Sequence, residues 1–188
     1  DEIISIVTSH PLWMVDELLK EYDKKFVTEF LNANNITPEI TLRSNRLKTT
    51  RDELYKLLIL RKIDCRKGNL EDSIKVKKMT DFKGKLFTVQ DEAAQLACLK
   101  LAAKPDEIVL DACSAPGGKT TYLAEIMENK GEVEAWDIHP HRVRLVEEAA
   151  KKLDISIIHA KVHDATISMP SYKEKFDKIL LDVPCSGL

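Results

Sequence analysis

The chain has 188 residues, 44% of them apolar and 32% charged, with a formal net charge of -2. That length holds one good-sized domain, or one domain with a small module. No apolar run approaches the roughly 18 residues of a membrane span and no signal peptide is visible; the scattered cysteines make a reducing, cytoplasmic setting the expectation. Four cysteines (Cys65, Cys98, Cys113, Cys185) are scattered without a CxxC pair, which argues against a zinc site and a disulfide framework. Charge is uneven. Across residues 40–87 fourteen Lys and Arg face six Asp and Glu, whereas from residue 105 onward ten face fifteen. A basic stretch beside an acidic one suits a nucleic-acid-facing module attached to a catalytic domain; a solvated Lys-rich surface is the alternative.

Residues 1–35 read as helical. After His10-Pro11, Leu12, Val15, Leu18, Leu19 and Tyr22 recur at helical spacing, and a further helix is expected over 24–32, with Phe26, Val27, Phe30 and Leu31 apolar. Asn32 to Asn35 and then Pro38 punctuate. Residues 40–45 alternate like a strand. Thr50 with Glu53 forms a capping box, opening a helix to about Arg61 that buries Leu54, Leu57 and Leu58. Strands are expected at 73–76 and 85–89, so the basic stretch has a β-α-β-β order that allows an RRM-like module. A helix over 91–101 offers Ala94, Leu96, Ala97 and Leu101 for packing. From residue 106 strands and helices alternate: strand 108–110, helix 119–128 ended by Gly131 as a left-handed cap, strand 133–136, helix 141–153, strand 155–158 and strand 178–181. This is the pattern of βαβ units and a parallel sheet. Three parts result: a helical segment (1–38), a basic module (39–90) and an α/β domain (91–188).

Ligands in such a sheet sit beyond the carboxyl ends of the strands, and each readable end carries a polar or Gly-rich cluster. The first is Asp111 with the loop Cys113-Ser114-Ala115-Pro116-Gly117-Gly118-Lys119. Its glycines permit close backbone approach, and the helix behind them offers free N–H groups to an anion. A P-loop would need Gly where Cys113 stands, and the G-x-G-x-x-G fingerprint is absent, so the loop is not built for ATP or NAD. Asp137, about twenty residues on, stands where an acid accepts from ribose hydroxyls, or it caps the turn at His139-Pro140. Asp164 can accept from an adenine amine, or cap a helix. Asp182-Val183-Pro184-Cys185-Ser186-Gly187 sets an acid and a cysteine just past a buried strand. Cys185 is a small buried hydrophobe unless its pKa is lowered and it is accessible.

These residues closely resemble the Nop/Sun family of RNA cytosine-C5 methyltransferases, and within it the bacterial RsmB/Sun-type branch acting on small-subunit ribosomal RNA. Upstream, Ser9-His10-Pro11-Leu12-Trp13, Leu42-Arg43-Ser44-Asn45 and Phe87-Thr88-Val89-Gln90-Asp91-Glu92 agree, so the resemblance covers essentially the whole chain. It implies a Rossmann-like methyltransferase fold preceded by an RRM-like RNA-binding module, with S-adenosylmethionine as cofactor and RNA as partner. It implies that loop 113–119 holds the methionine part of the cofactor, that Asp137 binds ribose, that Asp164 lies by the adenine, and that Asp182 lies between cofactor and base. In the family's mechanism a thiolate adds to C6 of a flipped-out cytosine, activating C5 for methylation. The nucleophile lies in a Thr-Cys motif, and the Pro-Cys cysteine, here Cys185, assists product release. No Thr-Cys motif precedes Leu188. The expectation is therefore a fold cut after its fourth strand, lacking about three more that the family's sheet has, and inactive alone. Two other readings stand beside this one: methylation of a different RNA such as tRNA, and a non-catalytic RNA-binding module with the methyltransferase-like half as scaffold.

Overall fold

In the computed structural model, which describes residues 1–78 and 84–183, the chain divides into the units Asp1–Glu39 and Ile40–Leu188. The first unit holds α1 (Glu2–Thr8), α2 (Leu12–Glu21) and α3 (Lys24–Asn34). Val15, Val27 and Leu31 form its core, with Ile4, Met14, Leu18 and Leu19 packed against them. The Asp23 carboxylate caps α3 by accepting from the Phe26 amide at 2.8 Å, as short polar side chains do at helix starts. Leu12, Tyr22, Phe26 and Phe30, all apolar in the sequence pattern, remain substantially exposed. Tyr22, Phe26 and Phe30 instead stack on one another in a row.

The second unit begins with β1 (Ile40–Ser44), α4 (Arg51–Leu60), β2 (Cys65–Lys67), β3 (Ser73–Val76) and β4 (Phe87–Val89). They make an antiparallel sheet of order β2-β3-β1-β4. Strand β2 is absent from the sequence reading because it is short and polar, Cys65-Arg66-Lys67, with no apolar alternation to betray it. The capping box at Thr50 and Glu53 is present. Helix α4 buries Leu54 and Leu58, which join Leu42, Ile63, Ile74, Val76 and Phe87, while Leu57 is only half-buried. Side chains alternate across a strand, so Leu42 of β1 faces this core and its neighbour Arg43 turns to the opposite face. That face is also covered: Arg43 is 0% exposed and Thr41, two residues before it, 7%.

Helix α5 (Glu92–Leu101), capped by Asp91, leads into β5 (Ile108–Asp111), α6 (Gly118–Ile126), β6 (Glu132–Asp137), α7 (Pro140–Leu153), β7 (Ile158–Val162) and β8 (Lys178–Leu180). The strands are all parallel, in the order β7-β6-β5-β8. Helices α5, α6 and α7 bury Cys98, Tyr122, Leu123, Ala150 and Leu153 against Val109, Val133 and Leu180. On the other face, Leu110, Ala112 and Trp136 pack with Tyr172 and Phe176.

Three local expectations are corrected. Helix α5 turns Gln95 and Cys98 inward, while Leu96 and Ala97 stay exposed. The polar Gln95 tolerates this because its Nε2 donates to the Gln90 carbonyl at 2.9 Å. The third strand of the parallel sheet starts at Ile158, not Ile155. The apolar Ile155 and Ile157 serve the core under α7, and the ladder then continues as a polar edge strand, His159 and Lys161 included. The left-handed residues after α6 are Glu128 and Asn129. Gly131, also at positive φ, is required further on, where a Cβ would meet the Glu107 carbonyl oxygen at 2.4 Å.

Candidate functional site

Strand order reverses beside β5. From β5 the chain moves outward through β6 to β7, then returns to lay β8 on β5's other edge. The crevice at the carboxyl ends of β5 and β8 is thus the topological switch point, where open α/β sheets take ligands. Asp111 ends β5 and Asp182 follows β8 by two residues. Between them lies loop 113–119. A cavity of about 220 Å³ opens there, lined by Asp111, Cys113, Ser114, Lys119 and Asp182 on one side and by Gln90 and Asp91 on the other.

The loop is tied down residue by residue. The Ser114 amide and hydroxyl both donate to the Trp136 carbonyl on β6, at 2.7 and 2.9 Å. The Gly117 amide donates back to the Ser114 carbonyl at 2.8 Å, and the Ala115–Pro116 peptide is cis. Gly117 has φ +98°, and a Cβ on it would sit 3.2 Å from the Val146 backbone of α7. Glycine is therefore demanded twice, by the dihedral and by the close approach of α7. A Cβ on Gly118 would make only an ordinary van der Waals contact, with Gln90 Nε2 at 3.6 Å. The backbone there is exposed to whatever fills the cavity, at the N-terminus of α6, where unpaired N–H groups favour an anion.

The charges are arranged in depth. Asp111 is 1% exposed. Its Oδ2 accepts from Thr120 Oγ1 at 2.7 Å, and its Oδ1 makes no hydrogen bond of ordinary geometry. Burial pushes its carboxyl up to about 6, against the opposing pull of Thr120, the nearby Cys113 amide and Lys119. Lys119 Nζ meets Asp182 Oδ2 at 2.5 Å across the crevice. Burial works against the Lys119 ammonium, but the Asp182 contact outweighs it and raises its pKa. Cys113 is half-buried, and burial followed by the negative field of Asp111, Asp137 and Asp182 pushes its thiol up. Burial drives Cys98 to about 12. Neither sulfur is an activated thiolate at neutral pH.

Asp137 stands at the end of β6, 5% exposed. Its Oδ1 accepts from the His139 amide at 3.0 Å and its Oδ2 lies 3.6 Å from Arg142 Nη1. It caps the turn through Oδ1, with Oδ2 turned toward Arg142. Asp164 follows β7 by two residues, and its Oδ1 accepts from the amide and hydroxyl of Thr166 at 2.9 and 2.7 Å. Asp164 thus caps a local turn, and no helix starts there. Neither acid lines the 220 Å³ cavity. Cys185 lies outside the described residues.

Sequence reasoning took Asp111 only as a strand-end marker, and met Gln90 and Asp91 only within the motif Phe87–Glu92, with no part in the site. Asp111 ends the uninterrupted apolar run Ile108–Leu110 of a strand buried on both faces, a signal for a buried acid. Gln90 carries no such signal, because its position depends on how two separate sheets pack. The basic stretch also behaves differently from its composition. Arg43 is fully buried, Arg46 is paired with Asp72 at 2.5 Å, and Lys48, Lys67, Lys75, Lys77 and Lys85 each sit in an ion pair.

A family model described as 16S rRNA methyltransferase RsmB/F matches residues 98–188, and one described as an RsmF/B-like ferredoxin-like domain matches residues 10–83. The chain is 42% identical over 187 residues to a probable ribosomal RNA small subunit methyltransferase B of Bacillus subtilis, covering 96% of this chain and 42% of that protein. It is 32% identical over 184 residues to the 28S rRNA (cytosine-C(5))-methyltransferase of Mus musculus, covering 93% of this chain and 23% of that protein. Among solved structures, PH0851 superposes with a TM-score of 0.90 at 30% identity, over 98% of this chain and 43% of its own. A methyltransferase homolog from Pyrococcus horikoshii gives 0.75 at 26% identity, over 94% of this chain and 64% of its own. The chain thus spans less than half the length of these two curated relatives.

Proposed function

Because this chain belongs to the Nop/Sun family of RNA methyltransferases, we propose that it carries the cofactor-binding part of an enzyme that methylates cytosine C5 in RNA, with small-subunit ribosomal RNA as substrate. The observation that carries this reading is the crevice between β5 and β8, where acid, ammonium and free helix N–H groups converge on one cavity. Such a set is complementary to a zwitterion. The ammonium of a methionine moiety finds Asp111, whose Oδ1 makes no hydrogen bond of ordinary geometry, and Asp182. Its carboxylate finds Lys119 and the α6 N-terminus. A cavity of about 220 Å³ is below the roughly 300–1,000 Å³ of a whole-ligand site. It suits the amino-acid end, with the nucleoside directed along the strand ends toward Asp137 and Asp164.

S-adenosylmethionine, when bound, supplies an electrophilic methyl group on a sulfonium. The chain's own residues orient it: Ser114 pins the loop to β6, Gly117 allows α7 close, and Lys119 with Asp182 bridges to β8 on the base side. Cys113 and Cys98 are held protonated and leave cysteine chemistry to other residues, Cys185 among them. RNA is the macromolecular partner. Because so many of its lysines are already paired, the basic stretch contributes modest, salt-sensitive affinity.

Calorimetry with S-adenosylmethionine tests this, comparing wild type with Asp137→Ala. Binding by wild type and a loss of about tenfold or more in the variant are expected, one charge-assisted hydrogen-bond pair being worth about 1.5–3 kcal/mol. No binding by folded wild type would sink the cofactor assignment. RNA binding without cofactor binding would favour the scaffold reading instead.

A further inference from the structure

Among the described residues, the largest fully buried side chain is an arginine. Arg43 leaves β1 of the antiparallel sheet and ends beneath the cofactor loop of the parallel one. Nη1 donates to Gln90 Oε1 at 2.5 Å and to the Gly118 carbonyl at 2.7 Å. Nη2 donates to Thr121 Oγ1 at 3.2 Å and to Glu125 Oε1 at 2.7 Å. The guanidinium carbon lies 4.5 Å over the Tyr122 ring. Four of its partners, Gly118, Thr121, Tyr122 and Glu125, belong to the first two turns of α6. The fifth, Gln90, lines the cavity. Arg43 and Glu125 are each 0% exposed in their side chains, so RNA cannot reach this arginine.

A buried ion pair alone is weak evidence for stability, since desolvation cancels most of its attraction. The distribution of contacts says more. Only one of the four hydrogen bonds goes to the counter-charge. Two go to the groups that set the cofactor loop: the Gly118 carbonyl at the start of α6, and Gln90 on the opposite wall. A third goes to Thr121, whose hydroxyl donates to the Gly117 carbonyl at 2.8 Å. The planar fork of a guanidinium fixes these points relative to one another as no flexible ammonium can.

We infer that Arg43 is a positioning residue for the cofactor site, making β1 of the small module the strut that sets the Gly117–Gly118 turn and the facing Gln90 wall. This deepens the cofactor assignment and rests on it. Its consequence is that the antiparallel module acts on cofactor binding from behind, in addition to any part it plays toward RNA.

The decisive variant is the double substitution Arg43→Met with Glu125→Gln, which removes both buried charges together and leaves neither unpaired. Two readouts are taken on the chain: backbone hydrogen exchange across 117–121 without cofactor, carried by the Gly117 and Thr121 amides that donate to the Ser114 and Gly117 carbonyls, and calorimetric affinity for S-adenosylmethionine. The urea midpoint is expected to stay near that of wild type. Exchange at 117–121 is expected to speed up, and cofactor affinity to fall, each by about tenfold or more, as misplaced binding groups do. A double variant with wild-type exchange and wild-type affinity would show that Arg43 is only one half of a structural ion pair, and the inference would be overturned. If the double variant does not fold, Arg43→Lys takes its place. It keeps Glu125 paired but cannot span Gly118 and Gln90 as well, so the same local loss is expected and its absence overturns the inference. Failure of wild type to bind S-adenosylmethionine would instead strike the cofactor assignment, and the exchange readout would still decide the role of Arg43.

Discussion

Asp111→Asn should stabilise this fold at neutral pH while weakening its site. The carboxyl is 1% exposed, holds one hydrogen bond from Thr120, and has an Oδ1 that makes none of ordinary geometry, with the Cys113 amide nearby. Burial raises its pKa from 3.8 to about 6. Ionising a group whose folded pKa is raised costs folding free energy. The contribution of Asp111 to wild-type stability is therefore fully present below pH 3.8 and is lost as pH rises through about 6. The span from 3.8 to about 6 corresponds to about 3 kcal/mol at most. Asparagine stays neutral and keeps an acceptor for Thr120. The unfolding free energy of the variant minus that of wild type should thus grow by up to about 3 kcal/mol between about pH 4 and pH 7. Urea unfolding followed by circular dichroism at constant ionic strength, at steps of one pH unit, measures this difference directly. The many other carboxylates cancel in it. A difference that stays flat with pH, or that falls, would refute the account of Asp111 as a charge held uncompensated for a ligand. The same variant should bind S-adenosylmethionine more weakly, because an amide cannot receive an ammonium as a carboxylate does.

Gly117→Ala should cost about 1–3 kcal/mol in urea unfolding, since it combines a positive φ with a contact to the immovable backbone of α7; a wild-type midpoint would show that the turn relaxes freely. Glu92 behaves oppositely to Asp111. Burial would raise its carboxyl, but Ser73, the Asn69 amide and Lys75 together hold it at about 2. A depressed acid stabilises above its unfolded pKa of 4.5, and that contribution fades as pH falls toward 2. Glu92→Gln should therefore be destabilising at pH 6, with the deficit shrinking by pH 3; a deficit independent of pH would mean that packing, not charge, is what the glutamate supplies.

The division between sequence and tertiary structure follows the range of the forces involved. Local physics is written in local residues. The capping box at Thr50 and Glu53, the strand–helix alternation after Asp106 and the glycine turn at 117–118 are all legible, because each depends on neighbours within about four positions. The strand ends carrying Asp111, Asp137 and Asp182 are legible for the same reason, and with them the class of site. Errors came where a pattern had two possible causes. Ile155 and Ile157 are apolar to serve the core under α7 rather than to start a strand, and Leu96 yields the inward face of α5 to Gln95. Composition misled most. Residues 40–87 are basic, yet Arg43 is the centre of an interior network and Arg46 is locked to Asp72. A charge count cannot tell a surface from an interface. What β1 does with Arg43 depends on Glu125, eighty-two positions away, and only the packing of two sheets against one helix brings that pair together.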